Sequence, residues 1–417
     1  MKILWICPFF PYPPDNGSRI RGYFITRELA RWNEVSIFSL IQSAEEGQNL
    51  APLREYCREV KGVLPENKRP EAFFDGRRGM KDVLPGFLVP EPRHFYGPPS
   101  PNVIRELHEC LREGHYDVMI INHLLMTNYT WDFLGKPGQP LRILSQENVE
   151  SLIQRQYISL ARGVPIKLRK ILYYLSFIRF ERKACLRFDH VAVCSANDRS
   201  NLLKFVPHLA PERVSLLPNG VDTAWYDIGE VPVEEATLIY NGSLTYEANY
   251  DAVKYFLAEI FPLIQNELPA VKLKITGKTN GVDLAGLPLS ENVIFTGYVA
   301  DIRPVVKSST VCIVPLQVGG GTRLKVLEAM AAGTPVVATS KGAEGLQLEP
   351  DRDFLLADTA EDFARQVLRL LNNPELRNEI SRNGRQAVDE RYGWQGIAHN
   401  FHLQLETLAQ STAGGQG

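Results

Sequence analysis

An apolar run, Val311-Cys312-Ile313-Val314-Pro315-Leu316, leads into Gln317-Val318-Gly319-Gly320-Gly321 and then a helical stretch, Thr322 to Ala332, that stops at Gly333-Thr334-Pro335. Three glycines ahead of a helix let the backbone approach a ligand closely. They also leave N–H groups pointing at an anion, assisted by the helix dipole. Thr322 is expected to cap this helix and Gly333 to end it. Arg323 and Lys325 put two cations at the end where Asp or Glu is normally favoured, and an anionic ligand such as a diphosphate accounts for that cost. Glu328 follows about one and a half turns after Arg323. Its carboxylate suits a vicinal diol, as acidic residues suit nucleotide ribose. The plainer reading pairs Glu328 with Lys325 at i,i+3 on a solvated face. A dinucleotide fingerprint fits less well, because Gly319-Gly320-Gly321-Thr322-Arg323-Leu324 ends on Leu where the last glycine belongs.

Other reactive side chains follow short apolar runs. His123 comes after Asp117 to Ile121, and Glu147-Asn148 after Leu141 to Leu144. The C-terminal ends of strands in open α/β sheets are where ligands sit, so His123 is either a candidate to touch a ligand or an ordinary histidine packed under the following loop. Glu147 and Asn148 either bind ligand hydroxyls or cap the next helix. Asp351-Arg352-Asp353 is a DxD tripeptide in a polar loop without neighbouring His or carboxylates, and no metal is expected there.

These positions require strands that deliver them to one edge. Short apolar runs alternate with helical patterns almost throughout, the mark of parallel sheets flanked by helices. In the first half, strands are expected at Lys2 to Ile6, Glu34 to Leu40, Asp117 to Ile121, Leu141 to Leu144, His190 to Cys194 and Val214 to Leu217. A helix capped by Ser18 should turn Ile20, Tyr23, Phe24 and Ile25 inward, and residues 64 to 100 read as a long excursion loop. The second half restarts with Thr237 to Asn241, Val271 to Thr276, Val293 to Phe295, Val311 to Leu316 and Pro335 to Ala338. The turn-rich Leu217-Pro218-Asn219-Gly220-Val221-Asp222 separates the halves. Two α/β domains are therefore expected, residues 1–218 and 219–392, facing each other across a cleft.

Composition excludes several classes. The chain has 417 residues, 44% hydrophobic and 23% charged, with a net charge of -2. That balance fits neither disorder nor a polycation wrapped around nucleic acid. The six cysteines contain no C-x-x-C pair, so neither a zinc site nor a disulfide framework is indicated. No apolar run reaches the ~18 residues of a spanning helix, and Met1 to Ile6 reads as a first strand rather than a signal peptide. A cytoplasmic protein is expected. Residues 164 to 187 carry seven basic side chains against one acid, Glu181, with Leu168, Ile171, Leu172, Leu175 and Ile178 on one helical face. Two readings stay open: an interfacial helix giving peripheral contact with anionic lipid at the inner face of the membrane, or a core-packed helix with basic edges. Arg179 and Arg182 fall on the apolar face and weigh against the first.

The stretch from Gly321 to Thr339 resembles the donor-site signature of glycosyltransferase family 4, with the GT-B fold. Leu217 to Asp222, Tyr240-Asn241-Gly242-Ser243-Leu244, Ile275-Thr276-Gly277-Lys278 and Phe295-Thr296-Gly297-Tyr298-Val299 agree with it. Pro11 to Ser18 is similar to the N-domain loop of exopolysaccharide-associated sugar transferases. The resemblance implies two Rossmann-like domains and a C-terminal helix, about residues 393–410, that returns to the first. It also implies transfer from a nucleotide-diphosphate sugar with retention, needing no metal and no further cofactor, in polysaccharide or glycoconjugate synthesis.

By the same resemblance, Glu328 binds ribose, while Arg323, Lys325 and the Gly17 backbone hold the diphosphate. Gly242, Ser243, Gly277, Gly320, Gly321 and Thr322 complete the donor loops, with the backbone at Tyr298 and Val299 meeting the base. The acceptor is a glycan, a lipid-linked sugar or a small molecule. Three positions depart from the pattern. Gly320 stands where an acid is common, Leu244 to Asn249 lacks the usual basic pair, and Ser145-Gln146-Glu147-Asn148 lacks the usual His. Two alternatives remain: a nucleotide-sugar 2-epimerase of the same fold, which needs several acid/base groups, and an inactive, donor-binding relative.

Overall fold

A computed structural model describes residues 1–48, 50–67, 85–134, 140–161, 163–320 and 323–414. Contacts divide the chain into two units, Met1–Pro218 with the helix from Trp394 onward, and Asn219–Gly393.

The first unit is built on a parallel sheet of β1 (Lys2–Cys7), β2 (Glu34–Leu40), β3 (Glu59–Val63), β4 (Val118–Asn122), β5 (Leu141–Gln146), β6 (His190–Val193) and β7 (Val214–Leu216), in the order β3-β2-β1-β4-β5-β6-β7. Strand alternation sorts its core. Ile3, Trp5 and Cys7 of β1 face a cluster containing Phe24 and Ile25 of α1 (Gly17–Leu29). Leu4 and Ile6 face the opposite layer, with Val103 and Leu107 of α2 (Pro101–Gly114) and Phe177 and Phe180. Between β5 and β6 lie α3 (Glu150–Leu160) and α4 (Val164–Arg187), and α5 (Ala196–Phe205) leads to β7.

The second unit holds β8 (Glu234–Asn241), α6 (Glu247–Tyr255), β9 (Lys272–Thr276), β10 (Val293–Gly297), β11 (Ser309–Val314), α7 (Leu324–Ala331), β12 (Val336–Ala338), β13 (Leu355–Leu356), α8 (Ala360–Asn372) and α9 (Pro374–Tyr392). Its parallel sheet runs β10-β9-β8-β11-β12-β13. In both sheets the order reverses beside the first strand, at β1/β4 and at β8/β11. Such switch points open a crevice at the carboxyl ends of the strands. The last helix, α10 (Trp394–Gly414), packs on α1 in the first unit, with Trp394 stacked on Phe24 at 6.1 Å between ring centroids.

Several expectations need correction. Asn16, not Ser18, caps α1, accepting from the Arg19 N–H, because the helix begins at Gly17 and Ser18 already lies inside it. Within residues 64 to 100 the described part includes a short helix, Pro92–Tyr96, whose Phe95 is buried. Two strands had no clear period. In β3 (Glu59–Val63) only Val60 and Val63 are buried, and β13 is two residues long. Neither Glu147 nor Asn148 caps α3. The cap position is Val149, and the buried Glu181 of α4 instead accepts from the Glu150 and Ser151 N–H groups. The C-terminal helix, expected to end near residue 410, continues to Gly414, and residues 415–417 lie outside the described residues.

The Phe24–Trp394 stack ties the two chain-distant helices of the first unit, and Trp394 is buried. Trp394→Ala is expected to destabilise this unit by about 3–5 kcal/mol. Hydrogen exchange should show α1 and α10 losing protection together, and unchanged exchange in α1 would refute the coupling.

Candidate functional site

The second unit gathers its polar side chains where β8, β9 and β11 end and α7 begins. The helix starts later than expected, at Leu324, with Arg323 in the cap position; Gly321 and Thr322, including the expected cap, lie outside the described residues. Glu328 does not pair with Lys325 on a solvated face. Its Oε1 accepts from the Tyr226 hydroxyl at 2.8 Å and its Oε2 from Asn241 Nδ2 at 3.2 Å. Asn241 is oriented in turn, since its Oδ1 faces the Cys312 thiol at 3.8 Å. Burial raises the Glu328 carboxyl above its ordinary range, opposed by the Tyr226 hydrogen bond and by Lys325.

Lys325 points to a separate set of partners. Its Nζ donates to the Tyr240 hydroxyl at 2.8 Å and to Asn249 Oδ1 at 2.9 Å. Asn249 also accepts from the Tyr240 hydroxyl and donates from Nδ2 to the Ser243 carbonyl, both at 2.8 Å. Burial pulls the Lys325 ammonium down to about 7, with Arg323 adding to the effect. The adjoining glycines are sterically required. A Cβ on Gly242 would stand 2.9 Å from Lys325 Nζ, and one on Gly277, where φ is 106°, would meet Ser243 backbone atoms at 2.7 Å.

Arg323 is only 6% exposed. Its guanidinium donates to the Gly320 carbonyl at 2.6 Å and the Lys341 carbonyl at 3.1 Å, and reaches Glu344 Oε2 at 3.4 Å. Lys341 pairs with the same carboxylate. Arg323 therefore holds the glycine loop to the segment after β12. Tyr298, half exposed beyond β10, lies under the Lys278 ammonium at 5.7 Å, and Val299 follows it. Ser243 Oγ donates to the Lys278 carbonyl at 3.1 Å.

Tyr226, Asn249, Lys341 and Glu344 were missed in the sequence. Trp225-Tyr226, an aromatic pair just after the Leu217 to Asp222 turn, was the available signal for the first. In the DxD tripeptide, Asp353 is buried and its Oδ2 accepts from the Glu349 N–H at 2.9 Å.

A second cluster occupies the β1/β4 switch of the first unit. Glu147 accepts from Ser18 Oγ at 2.6 Å and from Asn122 Nδ2 at 3.0 Å, joining the start of α1 to the end of β4. Asn148 sits half-exposed in the turn before α3, and Gly17 is the first residue of α1. His123 has φ 75°, a conformation that L-residues adopt at a cost and that concentrates at functional sites. Its Nδ1 accepts from the Leu125 N–H at 3.0 Å, which places the ring proton on Nε2, 3.5 Å from Glu150 Oε1. Burial works to lower the imidazole, but Glu150 first, then Glu147 and Glu181, lift it above its ordinary value.

The structure thus brings Gly242, Ser243, Gly277, Gly320, Arg323, Lys325 and Glu328 together in one unit. His123, Glu147, Asn148 and Gly17 belong to the other. Among the described residues, no group of three or more His, Cys, Asp or Glu is placed to hold a metal.

Residues 235–373 match the family model described as glycosyl transferases group 1. The chain is 25% identical to an MMP alpha-(1->4)-mannosyltransferase of Mycolicibacterium hassiacum, covering 92% of both chains. It is 28% identical to a phosphatidyl-myo-inositol mannosyltransferase of Mycobacterium tuberculosis, over 47% of this chain and 55% of that one. Among solved structures, a sucrose-phosphate synthase from Thermosynechococcus elongatus superposes with a TM-score of 0.70 at 17% identity, over 99% of this chain and 100% of that one. Anabaena Alr3699/HepE in complex with UDP-glucose gives 0.67 at 14% identity, over 98% and 100%. The fold is of the GT-B type, and the matched domain and relatives support a glycosyltransferase.

Proposed function

We propose that this chain is a retaining, metal-independent glycosyltransferase that moves a sugar from a nucleotide-diphosphate donor to an acceptor hydroxyl in polysaccharide or glycoconjugate synthesis. The observation that carries the reading is the pair Lys325 and Glu328: an ammonium and a carboxylate on one helix, each held by its own neutral partners instead of by the other. Glu328, steadied by Tyr226 and Asn241, accepts from the ribose hydroxyls. Lys325 and Arg323, with backbone N–H groups at Gly320, Gly321 and Thr322, hold the diphosphate. Gly242, Ser243 and Gly277 let the donor approach the backbone, and the Tyr298–Val299 backbone meets the base. Anabaena Alr3699/HepE, similar in fold, is seen in complex with UDP and with UDP-glucose, which supports a nucleotide-diphosphate donor here. The relatives named as mannosyltransferases favour transfer over 2-epimerisation.

In the transfer, the bond from the anomeric carbon to the phosphate oxygen breaks, and the bond to the acceptor oxygen forms on the same face. The acceptor proton passes to the departing phosphate oxygen, so no protein nucleophile is needed. The developing phosphate charge is stabilised by fixed N–H groups and the two cations. His123, Gly17, Glu147 and Asn148 are assigned to the sugar, the diphosphate and the acceptor hydroxyls, whether the acceptor is a glycan, a lipid-linked sugar or a small molecule. No helix among the described residues is long and apolar enough to cross a membrane. The six free, buried cysteines fit a reducing compartment, and on that ground the cytoplasm is the proposed location.

The first test is a thermal-shift panel of UDP, GDP, ADP and TDP with their sugars. A ligand that binds only the folded state raises its stability as concentration exceeds Kd. One base is expected to stabilise the wild type, with most of the shift lost in Glu328→Ala. No shift with any nucleotide refutes the donor site, and a shift without turnover on any acceptor class identifies the inactive relative that Gly320 suggests.

A second prediction concerns pH. Lys325 titrates in the folded protein near 7, below the ~10.4 of an unfolded lysine. Between these values the unfolded chain binds more protons, so ligand-free stability rises with pH across that window. Donor binding needs the charged form. Affinity for the nucleotide sugar should therefore fall, by up to about tenfold per pH unit above pH 7, with proton uptake in calorimetry at pH 8. Lys325→Met should bind more weakly with a flat profile, and a flat profile in the wild type would contradict the assignment.

A further inference from the structure

Helix α4 (Val164–Arg187) is fully buried only in its second half; one side of its first half packs inward, with the Lys170 ammonium over the Tyr157 ring of α3 at 5.3 Å and Tyr173 against the core. Phe177, Phe180, Ala184 and Cys185 enter the core of the first unit. Earlier, the apolar stripe at i, i+4, i+7 and i+11 is Val164, Leu168, Ile171 and Leu175, which falls within about 60° of arc. That stripe faces outward: Val164 is 80% exposed, Leu168 56% and Leu175 42%. Beside it, at the level of Ser176 and Arg179, a second apolar segment comes to the surface. A Cβ on Gly86 would lie 3.0 Å from Ser176 Oγ, and the Arg179 guanidinium covers the Phe87 ring at 4.9 Å. Next to Phe87, Leu88 is 71% exposed.

The charge around this stripe has one sign. Lys167, Arg169 and Lys170 share its turns, and Arg179 and Lys183 follow. The helix's single acid, Glu181, is buried and bonded to the Glu150 and Ser151 N–H groups and to Gln146. The objection raised by Arg179 and Arg182 on the apolar face does not survive the geometry. Arg182 turns back to the Phe205 carbonyl, and Arg179 lies flat on Phe87. Over Val164 to Leu175 no charged side chain breaks the apolar stripe, whose Val164, Leu168 and Leu175 are exposed and whose Ile171 is half-buried.

We infer that the first three turns of α4, with the neighbouring turn at Phe87–Val89, form a docking surface for an anionic lipid bilayer. Apolar side chains enter the headgroup boundary while Lys167, Arg169 and Lys170 meet lipid phosphates, the arrangement that holds interfacial helices and polybasic segments to membranes. A second copy of the chain is the poorer occupant, since a two-fold contact sets this cationic face against itself. The inference stands on the first unit alone and does not depend on the donor site.

The test is co-sedimentation of the full chain with phosphatidylcholine vesicles, with and without phosphatidylglycerol. Binding is expected to be at least about tenfold tighter to the anionic vesicles and to weaken with salt. Lys167→Glu with Lys170→Glu, and separately Leu168→Glu with Leu175→Glu, should each lower it about tenfold or more. All four positions lie on the surface or half-exposed, and an unchanged melting temperature confirms that the variants fold. Equal binding to both vesicle types, no binding to either, or full binding by the variants would overturn the proposal. So would self-association in sedimentation velocity that Leu168→Glu abolishes. The nucleotide thermal shift should be the same in all variants, which separates failure here from failure of the transferase reading.

Discussion

Two opposite charges three residues apart on a helix would ordinarily find each other. On α7 they do not: Lys325 is held by Tyr240 and Asn249, Glu328 by Tyr226 and Asn241. Removing a charge from water costs several kcal/mol unless hydrogen bonds replace the solvent, so this arrangement depends on four neutral side chains in set positions. Tyr240 and Asn241 are consecutive residues at the end of β8, and that strand's register against β9 and β11 fixes them. The sheet exists, in this sense, to keep an ammonium and a carboxylate apart and both available. In the proposed reading, an anion at Lys325 would favour its charged form and a diol at Glu328 would find an acceptor already oriented.

The same economy explains the small residues around the site. Gly242 leaves the volume that the Lys325 ammonium occupies, and Gly277 lets the β9 turn touch the Ser243 backbone. Arg323 contributes differently from Lys325. Its cation is neutralised in part by Glu344, and its hydrogen bonds go to the carbonyls of Gly320 and Lys341. It fixes the shape of the loop that offers N–H groups, whereas Lys325 supplies charge that can be gained or lost. Of two cations two residues apart, Arg323 thus also orders the loop, while Lys325 carries the charge that can be gained or lost.

Much of this was legible in the sequence. Buried parallel strands are short continuous apolar runs, and β2 was located to the residue. The glycine loop announced the site because its composition has few other uses. What was not legible follows from physics that acts over long sequence distances. Glu328 and Tyr226 are 102 positions apart, and the choice between them and Lys325 is decided by burial, not by i,i+3 spacing. Ser18 was a good cap by type, but Asn16 comes first and Ser18 is drawn to Glu147, 129 positions on. The short β13 carried too few residues for any period to show. On α4 the sequence revealed a cationic, apolar helix yet could not say which face was already packed.

The two switch points differ in a way that follows from their side chains. At β8/β11 the charged groups are Arg323 and Lys325, with Glu328 bonded to Tyr226. At β1/β4 they are acidic: Glu147, Glu150 and Glu181 lie around His123, which they hold toward its protonated form. Lys325 at the first offers charge to an anion, whereas at the second a neutral hydroxyl finds carboxylate acceptors beside the N–H groups at the start of α1. Glu147 already accepts from Ser18 and Asn122, so a hydroxyl arriving there must share these oxygens. Each carboxylate oxygen has two lone-pair sites, and one bond on each leaves room for a second. The helix α1 that presents Ser18 is the one braced by Trp394 of α10. The geometry of Glu147 is therefore set partly by how firmly the C-terminal helix holds α1, so the hydroxyl-binding role proposed for Glu147 depends on packing at the chain's end.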